Sequence, residues 1–282
     1  MSEDPNRART SELNRAVTFL PREHGATAML FIPIACAAIL ARQWRWCEIA
    51  TLTTAFAALA AKDPMVVLAR QRFVWKQQHL ETAAAARWLA GWVTILLLSG
   101  FVLLAAWPLK AIIAMGLGVG IFSGLAIAAN VMNRQRSTLF QIASVVALTS
   151  SSVATALSAT GAIAPWCLWL WLLMAMHATA GILVVHARLD ARIALRGTAS
   201  PAGHFRRAAM VSLIVLSGAA IAAIILGRGW LALALLVAIF GYCYDLRRQR
   251  DSAALQLPLK KVGQRALTLS FVFAALLIIG LW

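Results

Sequence analysis

The feature of this sequence that most constrains its fold is a series of long apolar stretches without a charged residue. A helix needs about 20 such residues to cross the hydrocarbon core of a bilayer. Each stretch that reaches or approaches this length predicts a membrane-spanning helix. The nine stretches cover residues 25–41, 46–61, 88–107, 109–129, 141–161, 166–185, 208–227, 229–244 and 266–282. We therefore expect an all-α polytopic membrane protein.

The basic residues predict how these helices are oriented. Of the 26 lysines and arginines, all but four lie in alternate connections. The four exceptions are Arg42, Arg45, Lys110 and Arg228. The others occupy the N-terminal segment and the connections at 62–87, 130–140, 186–207 and 245–265. Because basic loops remain in the cytoplasm, we expect a cytoplasmic N-terminus and a C-terminus outside.

The composition agrees with this interpretation. Hydrophobic residues make up 61% of the chain and charged residues 13%, whereas soluble domains have roughly 45–50% and about 25%. A net charge of +16 suggests nucleic acid binding in a soluble protein, but membrane topology accounts for it here, and we expect no nucleic acid partner. We expect a polar leader at 1–24 and one transmembrane domain at 25–282.

His177 is the one ionisable residue deep inside a predicted span. It is a candidate haem or metal ligand, or a polar contact to a bound ligand. The favoured alternative is a neutral histidine that hydrogen-bonds to a neighbouring helix. No other span carries a histidine at matching depth, which argues against haem. The lack of buried charges and of broken helices gives no support to a pump, a channel or a small-solute exporter.

Arg22, Glu23 and His24 immediately precede the first stretch. A helix N-terminus at the membrane interface is suited to binding an anion; the alternative is a helix cap and interface anchor. The run from Leu20 to Pro33, LPREHGATAMLFIP, resembles the opening signature of the YwiC-like family of bacterial membrane proteins. The resemblance implies a bacterial inner-membrane protein but no particular reaction.

A second candidate group lies between the fourth and fifth stretches and consists of Asn130, Arg134, Ser137 and Gln141. Nine helices with this junction are distantly similar to the UbiA superfamily of intramembrane prenyltransferases. In that superfamily a basic residue, a hydroxyl and a glutamine recur after the fourth helix, as Arg134, Ser137 and Gln141 do here. The similarity implies Asp-rich motifs at helices two and six that hold Mg²⁺ against a diphosphate.

The chain departs from that pattern at both places. After the second stretch it has Lys62, Asp63 and Arg70, and after the sixth it has His186 and Asp190. Each place therefore has one acidic residue rather than an Asp-rich motif. Asp63 and Asp190 are candidate ligands for one shared Mg²⁺, but the departure argues against ordinary Mg²⁺-dependent prenyl transfer.

Other basic residues form patterns near the predicted cytoplasmic ends. Arg188, Arg192 and Arg196 follow one another at intervals of four and share a helix face, which is suited to a phosphate, a diphosphate or an anionic lipid head group. For most basic residues we favour the alternative of simple contact with lipid phosphates. Surface ion pairs of adjacent helix turns are also expected, between Asp245 and Arg248 and between Arg247 and Asp251.

Two functions fit these features. The leading one is a helical bundle whose cytoplasm-facing basic mouth binds an anionic amphiphile, such as an isoprenoid, a quinone or a lipid. Such a protein is either a divergent UbiA-like transferase or a binding protein only. The alternative is a non-catalytic accessory subunit or assembly factor of a larger membrane complex.

Overall fold

The computed structural model describes residues 24–79, 81–132, 134, 137–195 and 203–282, with His24 and Leu259 described by their backbone alone. These residues form helices and no strand, which confirms the predicted all-α class. The α-helices are α1 (His24–Ala41), α2 (Trp46–Arg70), α3 (Thr82–Ala106), α4 (Leu109–Val131), α5 (Thr138–Thr149), α6 (Ser151–Thr160), α7 (Pro165–Ala194), α8 (His204–Ile225), α9 (Gly229–Arg248), α10 (Ser252–Leu255) and α11 (Leu259–Leu281). A π-helical turn, Gln71–Trp75, continues α2.

In the described residues, eight helical segments are long and apolar enough to cross a membrane. They are Trp46–Trp75, Thr82–Ala106, Leu109–Val131, Thr138–Thr160, Pro165–Ala194, His204–Ile225, Gly229–Arg248 and Lys260–Leu281. The first predicted span is also an apolar helix, but at Gly25–Ala41 it is shorter than the others. The chain is thus a polytopic membrane protein, and the orientation of its termini stays a prediction.

The predicted ends of several helices are wrong. The segments 62–75 and 186–194, predicted as cytoplasmic connections, are helical and continue α2 and α7. The spans Trp46–Trp75 and Pro165–Ala194 have 30 residues each, about 45 Å of helix, whereas the hydrocarbon core is about 30 Å thick. Charged residues at one end of such a helix lie beyond the hydrocarbon, so a charge does not end the helix.

The fifth span is interrupted at Ser150, between α5 and α6, although the sequence predicts no broken helix. The carbonyl of Val146 accepts a hydrogen bond from Trp171 Nε1 at 2.9 Å as well as from the Ser150 amide at 3.2 Å. The hydroxyls of Thr149 and Thr155 donate to carbonyls four residues earlier. Such local hydroxyl bonds bend helices, and they explain the interruption without any ligand.

The described helices form two compact units. Residues 45–140 make up most of the first unit, in which α2 packs along α3. Thr54 Oγ1 donates to Ser99 Oγ at 2.7 Å, and the rings of Phe56 and Trp92 meet edge to face with centroids 5.6 Å apart. The paired hydroxyls and the aromatic contact fix the two helices against each other.

The second unit consists of residues 28–44 and 141–282. Its core lies between α7, α8, α9 and α11 and contains the fully buried side chains of Leu170, Leu216, Leu235 and Phe273. The helices α9 and α11 approach closely, because a Cβ atom on Gly280 would lie 2.6 Å from a methyl group of Leu231. This close packing of α7, α9 and α11 positions the polar clusters described below.

Candidate functional site

The predicted N-terminal site falls mostly outside the described residues. Arg22 and Glu23 are not among them, and His24 is described only by its backbone, as the first residue of α1. A role for these residues in anion binding therefore stays a prediction.

In the first unit the structure brings Arg70 and Asn130 together. Arg70 Nη2 donates to the Asn130 carbonyl at 2.8 Å, which connects the end of α2 to the end of α4. Asn130 Nδ2 in turn donates to the Ala126 carbonyl, one turn back in α4, at 2.9 Å. Both side chains thus bind helix-end carbonyls, as polar residues near a membrane interface commonly do.

The first unit also contains the predicted residues Lys62, Asp63, Arg134 and Ser137. Lys62 and Asp63 are neighbours in α2 with a 4.0 Å ion pair, and both are partly exposed. Arg134 and Ser137 are exposed in the connection before α5, where the Ser137 amide donates to the Arg134 carbonyl at 2.9 Å. The partly exposed ion pair between Lys62 and Asp63 contributes about 0–1 kcal/mol to the free energy of unfolding.

In the second unit Gln141 and His186 meet. His186 Nε2 and Gln141 Oε1 form a short hydrogen bond, and the imidazole stacks on Phe205 with ring centroids 4.7 Å apart. These contacts join α5, α7 and α8. Asp190 lies one turn further along α7 than His186, on the same face, and its buried Oδ2 accepts no hydrogen bond within the described chain.

The two predicted metal ligands belong to different units. In the described ranges no three His, Cys, Asp or Glu side chains are placed to hold a metal ion. Asp63 belongs to the first unit and Asp190 to the second. A Mg²⁺ ion shared by these two carboxylates stays a prediction.

His177 lies in a cluster with Tyr242, Ser270 and Phe273, which we call the histidine cluster. Its side chain is 3% exposed. The Tyr242 hydroxyl donates to the His177 carbonyl at 2.9 Å and lies 3.1 Å from Nδ1. Ser270 Oγ lies 3.1 Å from Nε2, and the Phe273 ring stacks on the imidazole at 4.3 Å. The histidine thus hydrogen-bonds to neighbouring helices, as the favoured interpretation of the sequence predicted.

Every polar atom of the histidine cluster has a partner when the neutral imidazole carries its proton on Nδ1. With the proton on Nδ1, that nitrogen donates to Tyr242 and Nε2 accepts from Ser270. With the proton on Nε2, Nδ1 would receive no hydrogen bond from this cluster, because the Tyr242 hydroxyl donates its hydrogen to the His177 carbonyl. A neutral imidazole offers one donor and one acceptor, so the cluster is complete without a ligand.

A second cluster lies on α7, α9 and α11, the same helices that carry the histidine cluster. Along α7, the eleven residues from His177 to Arg188 span about 16 Å. Arg188 is 7% exposed, and its Nη2 donates to the Ala254 carbonyl. Its Nε is buried and, among the residues described, donates no hydrogen bond. Leaving a buried donor unpaired costs about 1–3 kcal/mol, and more when the group is charged. A hydrogen-bond acceptor at Arg188 Nε would therefore stabilise the protein.

The surroundings of Arg188 carry a surplus of positive charge. Arg192, Arg248 and Asp245 act electrostatically on its guanidinium, and Asp245 in turn interacts with Arg265. Arg265 Nη1 lies 2.9 Å from Asp245 Oδ1, the one ion pair of this group within the described ranges. We call this group the guanidinium cluster; its members are Arg188, Arg192, Arg248 and Arg265 around Asp245.

The ion pair of Asp245 corrects the prediction from sequence. Spacing predicts pairs between Asp245 and Arg248 and between Arg247 and Asp251. Arg248 does attract Asp245, but the ion pair of Asp245 is with Arg265 of α11. Asp251 Oδ1 accepts a hydrogen bond from the Ala253 amide at the start of α10. Spacing finds neighbours on one helix only, whereas packing of α9 against α11 decides this pair. The sequence feature that indicates this cluster is the excess of arginines at the ends of three apolar stretches.

A short segment fixes the guanidinium cluster in place. After α9, Gln249 Nε2 donates to the Val184 carbonyl at 3.0 Å, and α10 follows with Ala254 and Leu255 buried. The Ala254 carbonyl accepts from Arg188. On the other side, Tyr244 lies under Arg265 at 4.2 Å and under Arg248 at 5.7 Å. Cation–π contacts of this kind hold guanidinium groups without neutralising them.

The comparisons with known proteins cover the N-terminal part of the chain. Residues 20–157 match the family model described as YwiC-like protein. No curated protein and no solved structure matches the chain, and the similarity to the UbiA superfamily stays a prediction. The match includes α1 to α5 and all of residues 45–140, whereas the guanidinium cluster lies beyond it. The chain is therefore an integral membrane protein, and its residues 20–157 are similar to the YwiC-like family.

Proposed function

We propose that this protein binds the anionic head group of an amphiphile dissolved in the membrane, such as an isoprenoid, a quinone or a lipid, at the guanidinium cluster. The observation that carries the proposal is the buried Arg188, whose Nε has no acceptor in the described chain, in a group with more cations than anions. A buried charge is stable when it is paired. An anion bound at this place supplies the missing partner.

The chemistry of the cluster suits a phosphate or carboxylate head. Guanidinium groups present donors in a planar fork that matches these anions, and they are less strongly hydrated than ammonium groups. Arg188 and Arg192 come from α7, Arg248 from α9 and Arg265 from α11. Donors from three helices enclose a head group at the end of the bundle, while the tail of the amphiphile remains in the apolar layer that these helices cross.

The proposal assigns binding and no reaction. A UbiA-type transferase would hold a diphosphate through carboxylates and Mg²⁺, whereas this cluster offers guanidinium groups. Gln141 and His186, which match the expected polar residues near such a site, meet on the face of α7 that also carries Asp190. Arg188, two residues from His186, is on the opposite face, because each residue of an α-helix turns by about 100°.

Native mass spectrometry of protein extracted gently from its own membrane tests the proposal. We expect the wild type to retain an anionic amphiphile and Arg188→Gln to lose it. Arg248→Gln is the second variant, because Arg248 is a half-buried member of the cluster on another helix. Arg250→Gln is the matched control, because Arg250 is exposed near the same end of α9 and outside the cluster.

Two results would contradict the proposal. The first is retention of the same amphiphile by wild type, Arg188→Gln and Arg248→Gln alike. The second is a wild-type protein that carries no amphiphile but binds other membrane subunits in a fixed ratio. The second result would instead support the role of an accessory subunit or assembly factor.

A further inference from the structure

We infer that the head group bound by the guanidinium cluster is a terminal phosphate monoester, and not the phosphate diester of a bulk phospholipid. The inference rests on the proposed function, because it names the class of anion that the same site takes. It follows from the charge of the cluster and from the burial of Arg188.

The charge of the cluster favours a doubly charged anion. Arg265 is neutralised by Asp245 at 2.9 Å. Arg188, Arg192 and Arg248 form no ion pair with a carboxylate among the described residues. Asp245 attracts Arg188 and Arg248 from a longer distance, whereas Arg192 and Arg248 repel Arg188. A phosphate diester carries one negative charge and would leave two of the three uncompensated. A phosphate monoester carries close to two negative charges above its second ionisation, at a pH of about 6.

The donor arrangement favours a group with three free oxygens. Arg188 Nη2 donates to the Ala254 carbonyl, and the buried Nε–H has no acceptor among the described residues. This Nε–H is therefore the donor that a bound anion would meet. Arg192 is one turn further along α7, and Arg248 comes from α9. A monoester offers three terminal oxygens, one for each of these guanidinium groups, whereas a diester offers two.

The burial of Arg188 favours an end-on approach. Its side chain is 7% exposed, and Ala254 and Leu255 of α10 are buried beside it. An oxygen at the end of a head group reaches such a donor with nothing beyond it. The phosphate of a diester carries a substituent on each side, and one of these would have to enter the packed region around α10.

The test compares two lipids that share a tail and differ in the head. We would titrate the purified full chain, in a neutral detergent at about pH 8, with oleoyl lysophosphatidic acid and with oleoyl lysophosphatidylglycerol. The first is a monoester and the second a diester. We expect the monoester to bind about tenfold more tightly, the effect of one additional charge-assisted hydrogen bond. At about pH 5 the monoester loses its second charge, and the preference should fall to within about threefold.

A variant and a free anion complete the test. Arg192→Gln should remove the preference for the monoester, whereas the control Arg250→Gln should keep it. Inorganic phosphate should bind at least about a hundredfold more weakly than the lipid monoester if the source of the phosphate is an amphiphile. Equal binding of inorganic phosphate would support the phosphate chemistry of the inference, but it would overturn the amphiphile of the proposed function.

The remaining outcomes separate the inference from the proposed function. Equal affinity for the two lipids, with both lost in Arg188→Gln, would overturn the inference and leave the proposed function in place. Binding of neither lipid, or binding that Arg188→Gln and Arg248→Gln do not change, would overturn the proposed function and the inference with it.

Discussion

The histidine cluster and the guanidinium cluster lie on the same three helices, α7, α9 and α11, and they differ in how completely their polar atoms are paired. In the histidine cluster each ring nitrogen and each hydroxyl has a partner at 2.9–3.1 Å. In the guanidinium cluster Arg188 Nε has none within the described ranges, and one carboxylate faces several cations. Buried polar groups are normally paired. We therefore infer that the first cluster stabilises the fold, and we propose that a ligand completes the second.

The largest expected effect is on the histidine cluster. His177→Ala removes the imidazole that contacts the Tyr242 and Ser270 hydroxyls and leaves a cavity beside Phe273. We expect the free energy of unfolding to fall by about 3 kcal/mol, measured by thermal or denaturant unfolding in detergent. The control His204→Ala, at an exposed position, should stay within about 0.5 kcal/mol of the wild type. A small effect of His177→Ala would mean that the cluster does not hold the three helices together.

The guanidinium cluster should behave in the opposite way. Arg188→Leu removes an unpaired buried charge, so the stability of the lipid-free protein should stay the same or rise. Affinity for the anionic amphiphile should fall about a hundredfold, the effect of losing one or two charge-assisted hydrogen bonds. Titration with lipid and unfolding of the lipid-free protein measure the two effects separately. A loss of lipid-free stability as large as that of His177→Ala would make Arg188 a structural residue.

The next smaller effect is expected from the loss of one hydroxyl in the histidine cluster. Tyr242→Phe removes only the hydroxyl that contacts the His177 carbonyl and Nδ1. We expect a loss of about 1 kcal/mol in unfolding free energy and no change in the affinity for the amphiphile. A fall in affinity instead would show that the two clusters act as one site. Gly181, whose added Cβ would lie 3.0 Å from the Tyr242 oxygen, offers a second position: Gly181→Ala should also destabilise and should also spare binding.

The smallest expected effect concerns Asp245. Asp245→Asn removes the carboxylate that competes with a bound anion for Arg265. We therefore expect the affinity for the anionic amphiphile to rise by about threefold, although the protein loses an ion pair. Isothermal titration of wild type and variant with the same lipid measures the change. Weaker binding by Asp245→Asn would mean that the carboxylate positions the arginines and that orientation, not surplus charge, governs the site.

Much of the fold follows from the sequence for a simple physical reason. Hydrocarbon excludes unpaired charge, so uncharged stretches of sufficient length become helices. The sequence does not predict where the helices end. Charged residues such as Asp63 and Asp190 can remain helical where the helix projects beyond the hydrocarbon. This is why α2 and α7 run further than predicted.

The site follows from the sequence only in part. The sequence indicates Gln141 and His186 as two separate candidates, and the two side chains meet in the structure. The partners of His177 and of Asp245 were not found, since Tyr242, Ser270 and Arg265 lie on other helices. Such contacts depend on how each helix is rotated about its axis, and spacing along one helix does not determine that rotation.

The most direct test of the account is the thermal unfolding of delipidated protein with and without oleoyl lysophosphatidic acid. A ligand at about a hundred times its Kd stabilises the folded state by about 2.7 kcal/mol. We predict a clear rise in the unfolding temperature of the wild type and of Tyr242→Phe, and none in Arg188→Leu. An equal rise in all three proteins would contradict the proposal that the guanidinium cluster binds the anionic head.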